Sequence, residues 1–271
     1  MQLHIRHETL YRYGEPVKRS VQNLRLTPRR EPTQRALSWH IAMPGRHHEQ
    51  IDAYGNVVHL LTLDEPHREV RILVNGVVDI DDTQGAILYE DGPLSPLTYL
   101  AETALTRADE AIGKFAARVF ARAEGDRQSQ LLRLAEAVCD AVQYEQGATD
   151  VHEPAASAFA RGKGVCQDHA HVFISCCRSV GIPARYVSGY LYAGKDGEVA
   201  SHAWVDAWLG DERNGWLSID VTHRTLAGGR HCRLAVGRDY MDACPVRGVR
   251  RGGGHEEMFV AVSVTASRQQ Q

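Results

Sequence analysis

Gly164-Val165-Cys166-Gln167-Asp168-His169-Ala170-His171 opens the stretch that decides the fold. A glycine-containing loop, Arg161-Gly162-Lys163-Gly164-Val165, runs into a helical pattern from Cys166 to Val180. Val172, Phe173, Cys176 and Cys177 are its apolar positions, and Gly181-Ile182-Pro183 closes it. Strands follow at 184–192, 200–209 and 216–222, separated by turns at Gly194-Lys195-Asp196-Gly197 and between Gly210 and Gly215. A helix therefore feeds an antiparallel sheet.

Cys166 stands where the loop meets the helix. Free backbone N–H groups and the helix dipole favour negative charge there. Both effects favour a thiolate, and the same N–H groups can hold an oxyanion. The competing reading is a buried small apolar residue. A thiolate nucleophile needs an imidazole, and His202 offers one. In Ser201-His202-Ala203-Trp204-Val205-Asp206-Ala207-Trp208, strand parity puts His202, Trp204, Asp206 and Trp208 on one face. Ala203, Val205 and Ala207 take the other, toward the core. In the next strand Ser218, Asp220 and Thr222 share a face, and an even register sets Asp220 beside or diagonal to His202. A carboxylate there would orient the imidazole and stabilise its cation. Alone, His202 also reads as a strand histidine and Asp220 as a strand-end turn residue.

Other residues compete for these roles. His169 lies one helical turn from Cys166, and His223 is a reserve base close to Asp220. His169 and His171 diverge on a helix and make no metal pair. The spacing of His231, Cys232, Cys244 and His255 fits no structural zinc pattern. The six cysteines contain no C-x-x-C and are too sparse for a disulfide scaffold.

Outward from this core, residues 1–80 read as short strands. Leu3 to Tyr13 alternates and breaks at Gly14-Glu15-Pro16; Val21–Thr27, Leu37–Met43, Val57–Leu63 and Arg68–Ile80 follow. Asn75-Gly76 has the composition of a type I′ hairpin turn. This spacing suggests an antiparallel sandwich. Residues 81–98 read as a linker, and helical periodicity resumes over 97–122 and 127–143. The expected division is an N-terminal β-rich domain at 1–80, a linker at 81–98 and a core at 99–271. The fold class is α+β.

Composition limits function. The 271 residues carry 31 Lys+Arg against 34 Asp+Glu, a net charge of −3, so no basic field draws the chain to nucleic acid or anionic membrane. No apolar run approaches the ~20 residues of a membrane helix. Met1-Gln2-Leu3-His4-Ile5-Arg6-His7 lacks the apolar core of a signal peptide, so a cytoplasmic location is expected.

Four segments together resemble the transglutaminase-like superfamily: 164–171, Gly181-Ile182-Pro183-Ala184-Arg185-Tyr186-Val187-Ser188-Gly189-Tyr190, 201–205, and Ile219-Asp220-Val221-Thr222. The chain is most similar to the bacterial cysteine-peptidase type that carries a β-rich N-terminal region. Gly237-Arg238-Asp239-Tyr240, Pro245-Val246-Arg247-Gly248, His7–Tyr13 and Leu24–Arg29 extend the resemblance over nearly the whole chain. It implies a papain-like core with Cys166 as nucleophile, His202 as base and Asp220 as orienting carboxylate. Tyr144, Gln167 and Trp204 are carried as pocket residues. The resemblance gives no cofactor: the animal members use calcium, but no EF-hand-type loop is present to carry that over. The implied activity is acyl transfer from amide bonds through a thioester, with a peptide, protein or small amide as substrate. Hydrolysis is favoured over amine cross-linking by a protein-glutamine transglutaminase. The alternative is a non-catalytic binding protein that keeps the fold.

Overall fold

A computed structural model describes residues 1–81, 87–89, 92–194, 201–210 and 215–267. Parts of the expected linker and of the turns at 194–197 and 210–215 lie outside these residues. No helix among the described residues is long and apolar enough to cross a membrane.

The spine of the first sheet is β1 (Gln2–Leu24). Its alternation is one of burial: Leu3, Ile5, His7, Thr9, Tyr11 and Tyr13 face inward. The break expected at Gly14-Glu15-Pro16 does not end the strand. Gly14 N–H donates to the His255 carbonyl at 2.9 Å and Glu15 N–H to the Gly253 carbonyl at 3.0 Å. Pro16 has no N–H to place. The irregularity is absorbed as a register shift against β5 between Arg12 and Val17. Then come β2 (Gln34–Ala42), β3 (Arg46–Ile51), β4 (Val57–Leu63) and β5 (His67–Ile80), in the spatial order β2-β5-β1-β4-β3.

The hairpin turn expected at Asn75-Gly76 is absent. β5 runs straight through both residues, which pair with Arg6 and Ile5 of β1. Gly76 is required for another reason: a Cβ there would collide with the Trp39 ring.

A short strand, β6 (Ile87–Leu88), and a 3₁₀ turn at Pro96–Leu100 lead into the helical segment. α1 (Glu110–Arg122) begins later than the periodicity suggested, because Asp109 caps it by accepting from the Ile112 N–H at 2.8 Å. α2 (Arg127–Ala141), β7 (Gln143–Tyr144), α3 (Ala155–Arg161) and β8 (Lys163–Gly164) follow. α4 (Cys166–Ser179) is central to the core. Val172, Phe173, Ile174, Cys176 and Cys177 are fully buried in it.

The second sheet consists of β9 (Ala184–Leu191), β10 (Ser201–Trp208), β11 (Trp216–Asp220), β12 (Thr225–Leu226) and β13 (His231–Gly237), ordered β12-β11-β10-β9-β13, with β6 paired to β11. Ala203, Val205 and Ala207 join Leu217, Ile219 and Val221 in the core shared with the helices. After α5 (Tyr240–Ala243), β14 (Val246–Gly252) and β15 (Glu256–Ser267) return to the first sheet. β14 pairs with residues 17–24 of β1 and β15 with residues 2–13. Both ends of the chain therefore build one seven-stranded sheet.

A buried ion cluster locks the two sheets together. Asp206, at 0% exposure, accepts from Arg185 Nε at 2.8 Å and from Arg233 Nη1 at 2.6 Å. Arg233 also pairs with Glu31 at 3.1 Å, and Gln34 accepts from the Arg233 N–H at 2.9 Å. Burial opposes ionisation of Asp206, but the two guanidiniums overcome it and hold its carboxyl at about 2. A folded pKa below the unfolded value gives stability that is present above about pH 3.9 and lost as pH falls through about 2. Asp206→Ala leaves two buried guanidiniums without this partner, and urea unfolding at neutral pH should show a loss of about 3–5 kcal/mol. An unchanged midpoint would mean that the cluster contributes nothing net.

Candidate functional site

Three segments converge where the N-terminus of α4 meets the start of β10. The loop before α4 is pinned by Asp168, whose Oδ2 accepts from the Val165 N–H at 2.7 Å and from Thr149 Oγ1 at 2.6 Å. Gly164 is needed beneath it, since a Cβ would come within 2.6 Å of Asp168 Cβ. These contacts fix Cys166 at the first position of the helix, partly exposed. Cys176 and Cys177 sit deeper in the same helix, where burial pushes both thiols up.

The β10–β11 register pairs Val205 with Ile219 and Asp206 with Ser218. Continued outward, it sets Asp220 opposite Trp204 and diagonal to His202. His202 Nε2 hydrogen-bonds Asp220 Oδ2 at 2.8 Å. Cys166 lies close enough to the ring to favour its cation, and with Nε2 committed to Asp220 the atom left for the thiol is Nδ1. The imidazole is thus the group on which both Asp220 and Cys166 act, and it shares one cleft with the thiol.

Asp220 is completely buried and gathers more donors than His202 alone. His223 Nδ1 lies 2.8 Å and His231 Nε2 3.0 Å from the same Oδ2, and the His223 N–H donates to Oδ1 at 3.1 Å. Burial would raise this carboxyl, but hydrogen bonds from His202, His223 and His231 drive it far below the usual carboxylate range. For His202, burial disfavours the cation. The Asp220 and Cys166 hydrogen bonds and charges outweigh burial and raise the imidazole to about 10. An imidazolium at neutral pH is therefore the favoured form.

A cleft of about 260 Å³ opens onto Cys166 and His202. His7, Thr9 and Tyr11 of β1 and Met258 and Val260 of β15 form one wall; Tyr186 and Tyr240 stand in the core wall. No Asp, Glu, Lys or Arg lines it among the described residues. The first sheet therefore takes part in the site.

Gln167 lines this cleft, its Nε2 donating to the Val151 carbonyl at 3.1 Å. Tyr144 and Trp204 do not line it. Tyr144 is exposed on β7, which pairs with β8, and its ring is 6.3 Å from that of His169. Trp204 is buried behind the site, stacked on His202 at 6.2 Å and 5.2 Å from His231. His169 spends its ring nitrogens on Thr222 Oγ1 at 2.9 Å and the Val142 carbonyl at 2.7 Å. Sequence reasoning missed His231 as a partner of Asp220 and His7 as a wall residue. Each arrives through a strand distant in sequence, and no local spacing signals it.

A helix N-terminus set against an antiparallel sheet, with Cys, His and Asp aligned in chain order, is the class of core that the sequence resemblance anticipates. The chain matches the model of the transglutaminase-like superfamily over residues 113–221. It matches the bacterial transglutaminase-like N-terminal region over residues 3–79. It is 31% identical over 281 residues to an uncharacterized protein of Mycobacterium leprae, with 96% of each chain covered. An uncharacterized protein of Mycobacterium tuberculosis is 30% identical over 272 residues, covering 90% of this chain and 86% of that one. The crystal structure of a Cytophaga hutchinsonii protein, named a candidate cysteine protease, has a TM-score of 0.78 at 22% identity and covers 100% of this chain and 92% of its own. That likeness is one of fold. The chain belongs to the transglutaminase-like superfamily, in the form that carries the bacterial N-terminal region.

The raised imidazole has a consequence for stability. A folded pKa above the unfolded value contributes stability that is complete below about pH 6.5 and lost as pH rises through about 10. The difference in unfolding free energy between the wild type and His202→Gln should therefore shrink from about pH 7 to about pH 10. A difference independent of pH would show that His202 is not held as a cation.

Proposed function

We propose that the protein is a thiol-dependent acyl-transfer enzyme that cleaves amide bonds. The observation that carries this reading is that Cys166 and His202 line one cleft, with His202 held by Asp220 at 2.8 Å. Cys166 Sγ attacks the amide carbonyl. The oxyanion is held by the backbone N–H of Cys166 at the helix N-terminus. His202 delivers the proton on Nδ1 to the leaving amine as the C–N bond breaks, which leaves a thioester. Water, deprotonated by the now neutral His202, attacks the thioester and releases the acid. Asp220 holds the imidazole orientation and stabilises its cation throughout.

Hydrolysis is preferred over amine transfer on the resemblance to bacterial cysteine peptidases; both outcomes share every step up to the thioester. Apart from His202 and Cys166 themselves, no charged side chain lines the cleft among the described residues, which suits an acyl donor with a neutral, apolar side chain, drawn from a peptide, a protein or a small amide. A cytoplasmic setting, where thiols stay reduced, fits a free Cys166.

Cys166→Ala should abolish amide turnover while the circular dichroism spectrum and unfolding midpoint stay as in the wild type. Asp220→Asn should lower kcat by about 10³–10⁴-fold, since a neutral amide no longer stabilises the His202 cation. Full turnover by a homogeneous Cys166→Ala protein would remove Cys166 from the role of nucleophile, whereas no amide turnover by the wild type would leave the reading of a binding protein on this fold.

A further inference from the structure

Asp220 has more imidazole around it than a triad uses. His202 Nε2 and His223 Nδ1 each lie 2.8 Å from its Oδ2, and His231 Nε2 lies 3.0 Å from it. The donor atoms of His202, Asp220 and His223 all fall within 4.8 Å of one another. Two imidazoles and a carboxylate suit zinc and its first-row neighbours, whereas calcium and magnesium prefer oxygen alone. With zinc–ligand distances of about 2.0–2.2 Å, ligand atoms in a tetrahedral site sit ~3.4 Å apart. The two 2.8 Å contacts to Asp220 must each open by about 0.6 Å, while the two imidazole nitrogens already lie within 4.8 Å of each other. His223 is the way in: its side chain is 52% exposed, while those of His202 and Asp220 are 7% and 1% exposed.

We infer that His202, Asp220 and His223 form an inhibitory site for a zinc-class divalent cation. The inhibition rests on the proposed acyl-transfer reading; the binding does not. The cation takes Nε2 of His202, Nδ1 of His223 and a carboxylate oxygen of Asp220, with water completing its shell. The Nε2 proton of the His202 imidazolium goes to solvent, and His223 shifts to its Nε2–H form. Nδ1–H of His202 still faces Cys166. The cation replaces a proton on the ring, so Cys166 Sγ keeps a hydrogen-bond donor. That donor proton can no longer be released to a leaving amine without leaving an imidazolate on the metal. Turnover stops, but the sulfur stays open to reagents. A cation bound directly to Sγ would instead shield it.

The test uses the full-length chain, freed of metal by chelator dialysis, and zinc sulfate as the probe. Affinity is read by competition with a chromophoric chelator. Cys166→Ala should bind zinc as the wild type does, and adding His223→Ala should weaken binding by about ten-fold or more. Because His223 is half exposed, that variant should keep its fold, checked by circular dichroism. In the wild type, zinc should suppress turnover while iodoacetamide still alkylates Cys166. Loss of binding in Cys166→Ala, or protection of Cys166 from alkylation, would assign the cation to the thiolate and overturn the proposal. So would an affinity unchanged by His223→Ala. A protein without amide turnover would still report binding in the competition, so failure of the enzymatic reading is distinguishable from failure of the site.

Discussion

An ionised carboxylate sealed from water must be surrounded by donors, and Asp220 imposes that requirement on everything near it. Its oxygens collect His202 from β10, His223 from the turn after β11, and His231 from the start of β13. Removing any one leaves the remainder to hold a buried charge. The same carboxylate fixes which nitrogen of His202 points at Cys166. The geometry on the thiol side is thus set from behind, by a residue that does not line the cleft. Trp204, stacked on His202, is itself buried on that rear side.

The second constraint joins the two sheets. Asp206, on the same strand as His202, is locked between Arg185 and Arg233, and Arg233 reaches Glu31 of the N-terminal region. The β1 strand is paired at both of its ends by the last strands of the chain. These links place β1 and β15 across from Cys166, where they form a wall of the cleft. The N-terminal region therefore forms part of the cleft that holds Cys166 and His202.

Much of the central site was legible in the sequence because its signals are local. The glycine loop before Cys166 and the Gly181-Ile182-Pro183 stop delimit α4, and period-two alternation gives the faces of β10 and β11. The diagonal from His202 to Asp220 then follows from a single even register. What escaped depends on contacts far apart in the chain. Gly76 reads as a turn residue until Trp39 is seen to fill the space above it. Gly14-Glu15-Pro16 reads as a break until 253–255 supply its hydrogen bonds. His231 and His7 carry no local signature of their roles, because their partners lie 11 and 183 residues away. The burial of Asp220 under three imidazoles is likewise a property of the assembled sheet.

The central claim is that Cys166 accepts an acyl group by virtue of its place beside His202. The most direct test is to offer the p-nitrophenyl ester of an N-acylated apolar amino acid and quench in acid. Intact-mass and peptide mass spectrometry then locate the acyl group. The account predicts one thioester, on Cys166, removed by hydroxylamine and formed far more slowly by His202→Ala. Acylation absent from Cys166, or shared equally with the partly exposed Cys139, would contradict it.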